Sequence, residues 1–333
     1  MAKIYDKSGW VNWEYIAGQK AAFCMVVGAR GVGKTYGLMK YLLEHDRPFI
    51  YLRRLKSQLD QCVTADGNPF KKLNTDTGRN IIPKRTAGGV LFTDNDRIVA
   101  VGVALSTVAN VRGFDYSNYD CIVFDEAIAS DGERPIAHEF NAFLNFYETV
   151  NRNRELSGDQ PVQAFLLGNA NRLTNPYYSG WHFMKTALKM ISGYQMVWRN
   201  ADGSRIMILL LGSEISNRKK DTALYKNASE GFITMAIENA FRTDGTNIRS
   251  MPIKEFTHIV SIGDIGIYRH KSERLYYVSS LTNGDNAYDS YGIGLKMFQQ
   301  DYWNLRIFYM VNKIVYFENY ECELIFRELF DLN

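Results

Sequence analysis

Residues 28–35 read Gly28-Ala29-Arg30-Gly31-Val32-Gly33-Lys34-Thr35 and fit the phosphate-binding pattern G-x-x-x-x-G-K-[ST]. The preceding residues, 21–27, form a short apolar run typical of a buried strand, and leucines recur at helical spacing in residues 36–44. This order of strand, glycine-rich loop and helix lets backbone N–H groups and a helix N-terminus bind phosphate. We therefore predict a nucleotide site in which the whole loop surrounds the phosphates, Lys34 reaches the β- and γ-phosphates, and the Thr35 hydroxyl ligates Mg²⁺.

A second signature of a nucleotide site lies in residues 121–126. Four apolar residues, Cys121 to Phe124, run directly into Asp125 and Glu126. A buried strand delivers such acids to the carboxyl edge of a sheet, which is where open α/β sheets bind their ligands. We predict that Asp125 belongs to the Mg²⁺ shell and that Glu126 polarises the attacking water.

The composition is that of a globular protein. A length of 333 residues indicates roughly two domains, and 46% hydrophobic with 23% charged residues excludes a disordered chain. The net charge is only +3, so any nucleic-acid surface must be local. Residues 1–11 lack the apolar segment of a signal peptide, and no apolar run is long enough to span a bilayer, so we expect no membrane partner.

Residues outside the two motifs give less information about function. The four cysteines and five histidines show no metal-ligand spacing, so we expect reduced thiols and no metal site other than nucleotide-bound Mg²⁺. The aromatic residues Trp10, Trp13 and Tyr15 precede the phosphate-binding loop. We expect them to pack across the core; contact with the base of a nucleotide is the alternative.

The rest of the chain alternates between strand and helix patterns up to Gly212. The apolar runs and spacings predict strands at 48–52, 162–168 and 206–211, a hairpin at 90–93 and 97–101, loops over 57–89, and a helix over 134–151. Such alternation is typical of an α/β domain with a largely parallel sheet.

After Gly212 the character of the sequence changes. Residues 213–252 are polar and helix-prone, and the following segment is β-rich, with Ile259–Tyr268 and Leu275–Ser280 predicted as a hairpin. We therefore predict a P-loop domain in residues 1–212, a short helical linker in 213–252 and a smaller α+β domain in 253–333.

With both nucleotide motifs placed, the chain resembles the DNA-packaging (encapsidation) ATPases of small podoviruses, the Bacillus-phage type whose motors carry a packaging RNA. Order and spacing agree across the first two-thirds of the chain, whereas the last third matches only in outline. The matching stretches are Gly28–Thr35 with its unusual Arg30, Phe49–Arg54 with Lys56, Ile122–Glu126, Asn151–Glu155, and Leu167–Ala170 with Asn175–Tyr177.

The resemblance implies a P-loop ATPase of the additional-strand, catalytic-glutamate (ASCE) class, similar to FtsK and HerA, with an RNase H-like C-terminal domain. It implies a homopentameric ring that uses ATP and Mg²⁺ to drive double-stranded DNA into the procapsid. The implied partners are the DNA, other copies of the chain, the portal protein and the packaging RNA. The implied location is the host cytoplasm and, transiently, the portal vertex, with no copy kept in the mature virion.

The resemblance also implies residues that act on a neighbouring subunit. Arg152 aligns with the family's trans arginine finger, which stabilises transition-state charge at the neighbour's γ-phosphate. Arg154 is the second choice, and an arginine at the end of a surface helix is the alternative for either. Arg112 aligns with another basic position that faces the neighbour's nucleotide.

Three further residues receive roles within their own subunit. Arg53 and Lys56 end the second predicted strand, in a region that signals nucleotide state in the family; ordinary pairing with carboxylates is the alternative. Asn169 ends a strand beside Asp125 and resembles the polar sensor of γ-phosphate loss. We also expect basic residues from Arg53 to Arg85, and those at 218–220, to contact DNA phosphates.

The C-terminal domain indicates whether the protein only packages DNA or also cleaves it. Gly263-Asp264-Ile265-Gly266 resembles the first catalytic acid of terminases, but an active nuclease needs several carboxylates to hold two metals. We find no convincing second and third acid and interpret the domain as a vestigial nuclease. The alternatives are a terminase-like packaging protein that also cleaves DNA, and a P-loop protein that uses nucleotide only as an assembly switch, which Glu126 and an arginine finger disfavour.

Overall fold

The computed structural model describes residues 4–111, 115–130, 136–169, 175–211 and 247–330, together with positions 133, 215, 222 and 332. The chain divides into two compact units that alternate along the sequence. One contains residues 1–129, 139–170 and 193–239, and the other contains 130–138, 171–192 and 240–333. Most of the predicted linker 213–252 lies outside the described residues, so the predicted bounds at 212 and 253 stay predictions.

The first unit contains a nine-stranded sheet with the order β3-β4-β5-β2-β6-β7-β1-β9-β8. Its six central strands, from β5 to β9, are parallel, while β3, β4 and β8 are antiparallel additions at the edges. The predicted, mostly parallel α/β sheet is therefore confirmed. The strands are β1 (Phe23–Gly28), β2 (Phe49–Arg53), β3 (Ile81–Thr86), β4 (Gly89–Asp94), β5 (Arg97–Ala104), β6 (Cys121–Phe124), β7 (Gln163–Gly168), β8 (Val197–Arg199) and β9 (Arg205–Leu210).

The apolar strands lie in the centre of this sheet, where both of their faces are covered. Every residue of β6 is buried, as are five of the six residues in β1 and in β7; this is the burial expected of parallel strands with helices on both sides. Leu38 and Leu42 of the helix after β1 are fully buried, which confirms the predicted apolar face. The helices in the described part of this unit are α1 (Trp13–Ala17), α2 (Lys34–Glu44), α3 (Lys56–Gln61), α4 (Lys71–Thr77) and α5 (Glu139–Asn151).

Two predictions about this unit were wrong. Residues 57–89 are not mainly loops, because they contain most of α3 together with α4 and β3. Each of the two helices buries a single apolar side chain, Leu59 or Leu73, and so leaves no helical period in the sequence. The helix predicted over 134–151 begins only at Glu139, since His138 has a φ of +49°, which a right-handed helix does not admit.

The second unit contains helices and a five-stranded mixed sheet with the order β13-β10-β11-β12-β14. The predicted strand Ile259–Tyr268 is two antiparallel strands, because Gly263 has a φ of +53° and turns the chain back at Asp264. No helix in the described part of the chain is long and apolar enough to cross a membrane. The elements are α6 (Pro176–Gly180), α7 (Met184–Ser192), β10 (Phe256–Ile262), β11 (Ile265–His270), β12 (Tyr276–Ser279), β13 (Ala287–Tyr288), α8 (Gly292–Asp301), α9 (Asn304–Met310), β14 (Val315–Phe317) and α10 (Tyr320–Leu329).

Candidate nucleotide-binding site

A cleft of about 400 Å³ opens at the carboxyl ends of β1, β6 and β7. These strands are parallel neighbours, so the loops that follow them meet at one edge of the sheet. The cleft therefore brings together most of the predicted site residues. Its lining consists of Arg30, Gly31, Gly33, Lys34, Thr35, Tyr36, Asp125, Glu126, Leu167, Gly168 and Asn169.

The glycine-rich loop has the backbone conformation that its sequence predicts. Gly31 and Gly33 have φ values of +68° and +88°, which favour glycine over any other residue. A Cβ on Gly28 would lie 2.5 Å from the Cβ of Leu210, so no side chain fits there. Gly33 is also the N-cap of α2 and provides no side-chain cap, which leaves N–H groups of the first helical turn available to an anion.

Two predicted loop residues hold the loop in place rather than line the cleft. Ala29 and Val32 are buried and belong to the core of the first unit. Trp13 contacts the loop from the core side. Its indole N–H donates to the carbonyl oxygen of Gly33 at 3.3 Å, and its ring is buried. The expected packing of Trp13 across the core is thus confirmed.

Lys34 is almost completely buried, and its ammonium group is held at the base of the loop. Its Nζ donates to the carbonyl oxygens of Gly28 and Ala29 at 2.8 and 2.7 Å and to Oδ1 of Asn169 at 3.1 Å. Burial of a cation requires such partners. Asn169 therefore links the end of β7 to the loop lysine.

Asp125 accepts hydrogen bonds through both carboxylate oxygens. Its Oδ1 accepts the Thr35 hydroxyl at 2.6 Å, and its Oδ2 accepts the Tyr51 hydroxyl and Nη1 of Arg53, both at 2.8 Å. Burial, and then the neighbouring Asp125, raise the pKa of Tyr51 well above its ordinary value. Tyr51 was missed by the sequence analysis; the signal is its spacing of two from Arg53, which puts both side chains on one face of β2.

Arg53 joins the two acids. Its Nη2 donates to Oε2 of Glu126 at 2.5 Å, while Nη1 holds Asp125. Burial acts to lower the pKa of Arg53, but Tyr51, Asp125 and Glu126 together raise it above its ordinary value. Arg53 therefore pairs with carboxylates, and these are the two acids predicted for the nucleotide site. Its role in signalling nucleotide state stays a prediction.

Glu126 has a φ of +53°, an uncommon conformation for a residue other than glycine. Its side chain is 48% exposed, so the carboxylate lies at the open side of the cleft. Strained backbone of this kind often occurs at active sites, where it aims a side chain that ordinary geometry would point elsewhere. In this chain the unusual conformation lies just after β6, and the Glu126 side chain contacts Arg53 there.

Lys56 and Arg152 are not among the residues that line the cleft. Lys56 begins α3 with an exposed side chain, and its backbone N–H donates to Ser106. Arg152 follows α5 with a φ of +47°, and its half-exposed guanidinium lies 3.8 Å from Asp115. Arg112 lies outside the described residues, as do residues 218–220.

Arg154 is engaged by its own chain. Its Nη2 donates to the carbonyl oxygens of Ser117 and Tyr119 at 2.7 and 3.0 Å. Reaching a neighbouring subunit would break both hydrogen bonds, whereas the contact of Arg152 with the described residues is a long, exposed ion pair. The geometry therefore favours Arg152 over Arg154 as the residue able to extend from the surface.

Asp264, the residue that resembles a terminase acid, lies in the turn between β10 and β11. Its Oδ1 is 3.7 Å from Nδ1 of His182, a mostly exposed side chain in the same unit. Within the described ranges, no group of three or more His, Cys, Asp or Glu side chains is arranged to hold a metal.

Known proteins match this chain in sequence and in fold. A family model described as podovirus DNA encapsidation protein (Gp16) matches residues 5–306. The DNA packaging protein of Bacillus phage phi29 is 29% identical over 194 residues, which cover 57% of this chain and 55% of that protein. The match thus spans about half the length of the curated relative.

Two solved structures have a similar fold over nearly the whole chain. One is described as "The Phi-28 gp11 DNA packaging Motor", with a TM-score of 0.60 and 19% identity, covering 98% of this chain and 99% of that one. The other is described as "The bacteriophage Phi-29 viral genome packaging motor assembly", with a TM-score of 0.60, 20% identity and the same coverage, 98% and 99%. At these identities the likeness shows the fold.

Proposed function

The chain belongs to the podovirus DNA encapsidation protein family, and on this premise we propose that it is an ATP-driven double-stranded DNA translocase of a viral genome-packaging motor. The observation that carries the proposal is the cluster at the cleft, where the Thr35 hydroxyl, the Asp125 carboxylate and the Glu126 carboxylate meet beside the phosphate-binding loop. A glycine-rich loop alone fits nucleotide binding, whereas the added acid at the open side of the cleft fits hydrolysis.

The donors in the cleft fit ATP with Mg²⁺. The loop N–H groups and Lys34 supply positive charge for the phosphates, and the adjacent Thr35 and Asp125 oxygens are ligands that Mg²⁺ prefers. When bound, Mg²⁺ neutralises charge on the β- and γ-phosphates. The ammonium group of Lys34 is already buried at the loop. When ATP binds, this group would exchange its carbonyl and amide partners for phosphate oxygens, and no lysine side chain would have to leave solvent.

Glu126 is the group proposed to orient the attacking water and accept its proton. In the described arrangement Glu126 is held by Arg53, so this contact must loosen before the carboxylate can turn toward a water. Asn169, which contacts Lys34, is the residue proposed to respond when the γ-phosphate leaves.

The proposed assembly is a homo-oligomeric ring, a pentamer, at the portal vertex of a procapsid in the host cytoplasm. Arg152 acts in trans on the neighbour's γ-phosphate, which its exposed position allows. The proposed partners are double-stranded DNA, the portal protein and a packaging RNA, and the ring leaves before the virion matures. The solved motors of similar fold support a role within such an assembly.

The test measures Mg²⁺-dependent ATP hydrolysis with and without double-stranded DNA. We expect DNA to stimulate turnover, and Glu126→Gln to bind ATP but hydrolyse it about a hundred- to ten-thousandfold more slowly, the range for losing a general base. Glu44→Gln is a matched control, since its carboxylate is exposed and pairs with Lys40 at 3.5 Å on the surface of the same helix. Near-wild-type turnover by Glu126→Gln would refute the assignment.

Two outcomes would favour the other functions. If nucleotide binds with no DNA-stimulated turnover, the protein uses nucleotide as an assembly switch. If purified protein cleaves a supercoiled plasmid in Mg²⁺ or Mn²⁺, and Asp264→Asn abolishes the cleavage, the protein is a terminase-like cutter with an active C-terminal domain.

A further inference from the structure

An exposed tryptophan covers the outer side of the phosphate-binding loop. A Cβ placed on Gly33 would lie 3.1 and 3.7 Å from Cε3 and Cζ3 of Trp10, so the six-membered part of the indole lies directly over Gly33. Gly33 lines the cleft, whereas Trp10 is 46% exposed and lies beyond the lining. The ring therefore contacts a residue of the cleft lining from outside that lining, with much of its surface open.

The backbone that carries this ring is held in a defined conformation. The Asp6 carboxylate accepts the Trp10 backbone N–H at 3.0 Å, and the Trp10 carbonyl accepts the Asp6 N–H at 2.8 Å. Tyr5 and Val11 pair as an antiparallel bridge on either side of this small loop, and Val11 is buried. A large aromatic ring at an exposed position on an ordered backbone offers a face on which a flat partner can stack.

The position of Trp10 relative to the predicted phosphate site indicates which flat partner the ring would contact. The loop from Gly31 to Thr35 and the first turn of α2 are where phosphates bind, so the base of the nucleotide must lie outside the phosphate cleft. A second aromatic side chain, Tyr36, lines the cleft, but its hydroxyl donates to Asp76 at 2.6 Å and draws the ring toward α4. Trp13 is buried beneath the loop and presents no open face.

We propose that Trp10 is the stacking platform for the purine base of the bound nucleoside triphosphate. This inference rests on the proposed nucleotide site and adds the residue that holds the base. Stacking between a base and an aromatic ring uses the π-face that every base has, so it favours large bases without distinguishing adenine from guanine. Trp10 therefore contributes affinity for purine nucleotides as a class, and the phosphates are held independently by the loop.

The experiment measures the affinity of the full chain for ATP, GTP and inorganic triphosphate, each with Mg²⁺, by calorimetry. Trp10→Leu keeps an apolar side chain over Gly33 but removes the π-face, and Trp10→Phe keeps both. Loss of one base–aromatic stack weakens binding roughly ten- to hundredfold. We expect this loss for ATP and GTP alike in Trp10→Leu, no change for triphosphate, and a largely restored affinity in Trp10→Phe.

The matched control is Trp303→Leu, since Trp303 is another exposed tryptophan, 56% exposed, in the C-terminal unit. It should bind all three ligands as wild type does. In turnover assays, the KM for ATP should rise in Trp10→Leu far more than kcat falls, because stacking is the same in ground and transition states.

Each remaining result overturns the inference in a distinct way. Unchanged ATP affinity in Trp10→Leu would show that the ring does not contact the base. Equal weakening for ATP and triphosphate would show that Trp10 only supports the loop backbone. A wild-type chain that binds neither ATP nor triphosphate would refute the proposed function itself, and the inference with it.

Discussion

A buried ion pair at the end of β2 gives a stability prediction of defined size. Nε and Nη2 of Arg54 donate to Oε1 and Oε2 of Glu139, each at 2.8 Å, and the two side chains are only 1% and 2% exposed. The pair ties the strand that carries Arg53 to the first residue of α5. Arg54→Met leaves the Glu139 carboxylate buried without its guanidinium, which costs about 3–5 kcal/mol.

Replacing both partners should recover much of that loss. Arg54→Met combined with Glu139→Leu removes both charges and fills the space with apolar groups, a change that is often neutral or stabilising. The exposed pair of Arg97 with Asp46, at 3.0 Å and 63% and 72% exposed, is the matched control. Arg97→Met should change stability by less than about 1 kcal/mol.

The assay is urea unfolding of each variant, followed by tryptophan fluorescence and by circular dichroism. We expect Arg54→Met to lower the urea midpoint of the transition in which the first unit unfolds, with an unchanged dependence of unfolding free energy on urea concentration. The double variant should move this midpoint back. The reasoning is refuted if Arg54→Met is no less stable than Arg97→Met, or if the double variant is as unstable as the sum of the two single changes.

The remaining predictions concern the nucleotide, the ring and the DNA. Lys34→Ala should lose most of its affinity for ATP in calorimetry, because the phosphates lose their buried cation, and wild-type affinity would contradict the loop assignment. Mixing Arg152→Ala with Glu126→Gln subunits under exchange should restore hydrolysis above either alone, since a trans finger is worth about three to five orders of magnitude; a rate at the weighted average would exclude the trans role. Arg154→Ala should instead lower the unfolding midpoint, because two carbonyls lose their donor. Binding to double-stranded DNA should fall steeply with salt and be similar for unrelated sequences, as phosphate contacts require; a strong preference for one short sequence would contradict it.

Patterns that are contiguous in the chain predicted correctly that the two motif segments lie together at one cleft. The loop at 28–35, and a strand ending in Asp125 and Glu126, each carry their own context, and the parallel order of the strands then brings them to one edge. The resemblance to packaging ATPases added the residue roles. Family membership is confirmed, whereas the roles of all the site residues stay predictions.

Contacts between distant segments could not be predicted in the same way. Arg54 and Glu139 are 85 residues apart, and nothing local in the sequence marks either side chain as buried. The left-handed backbone of Glu126 is likewise invisible, because most non-glycine residues avoid it. Helices α3 and α4 escaped detection since six or seven residues are too few to show a period.

The central claim is that this chain uses ATP hydrolysis to move double-stranded DNA. The most direct measurement is the amount of genome-length DNA that becomes resistant to nuclease when procapsids, DNA, ATP and the purified protein are combined. We predict protected DNA with the wild-type chain and ATP, and none with Glu126→Gln or with an ATP analogue that cannot be hydrolysed. Protection by Glu126→Gln equal to that by the wild-type chain would contradict the account.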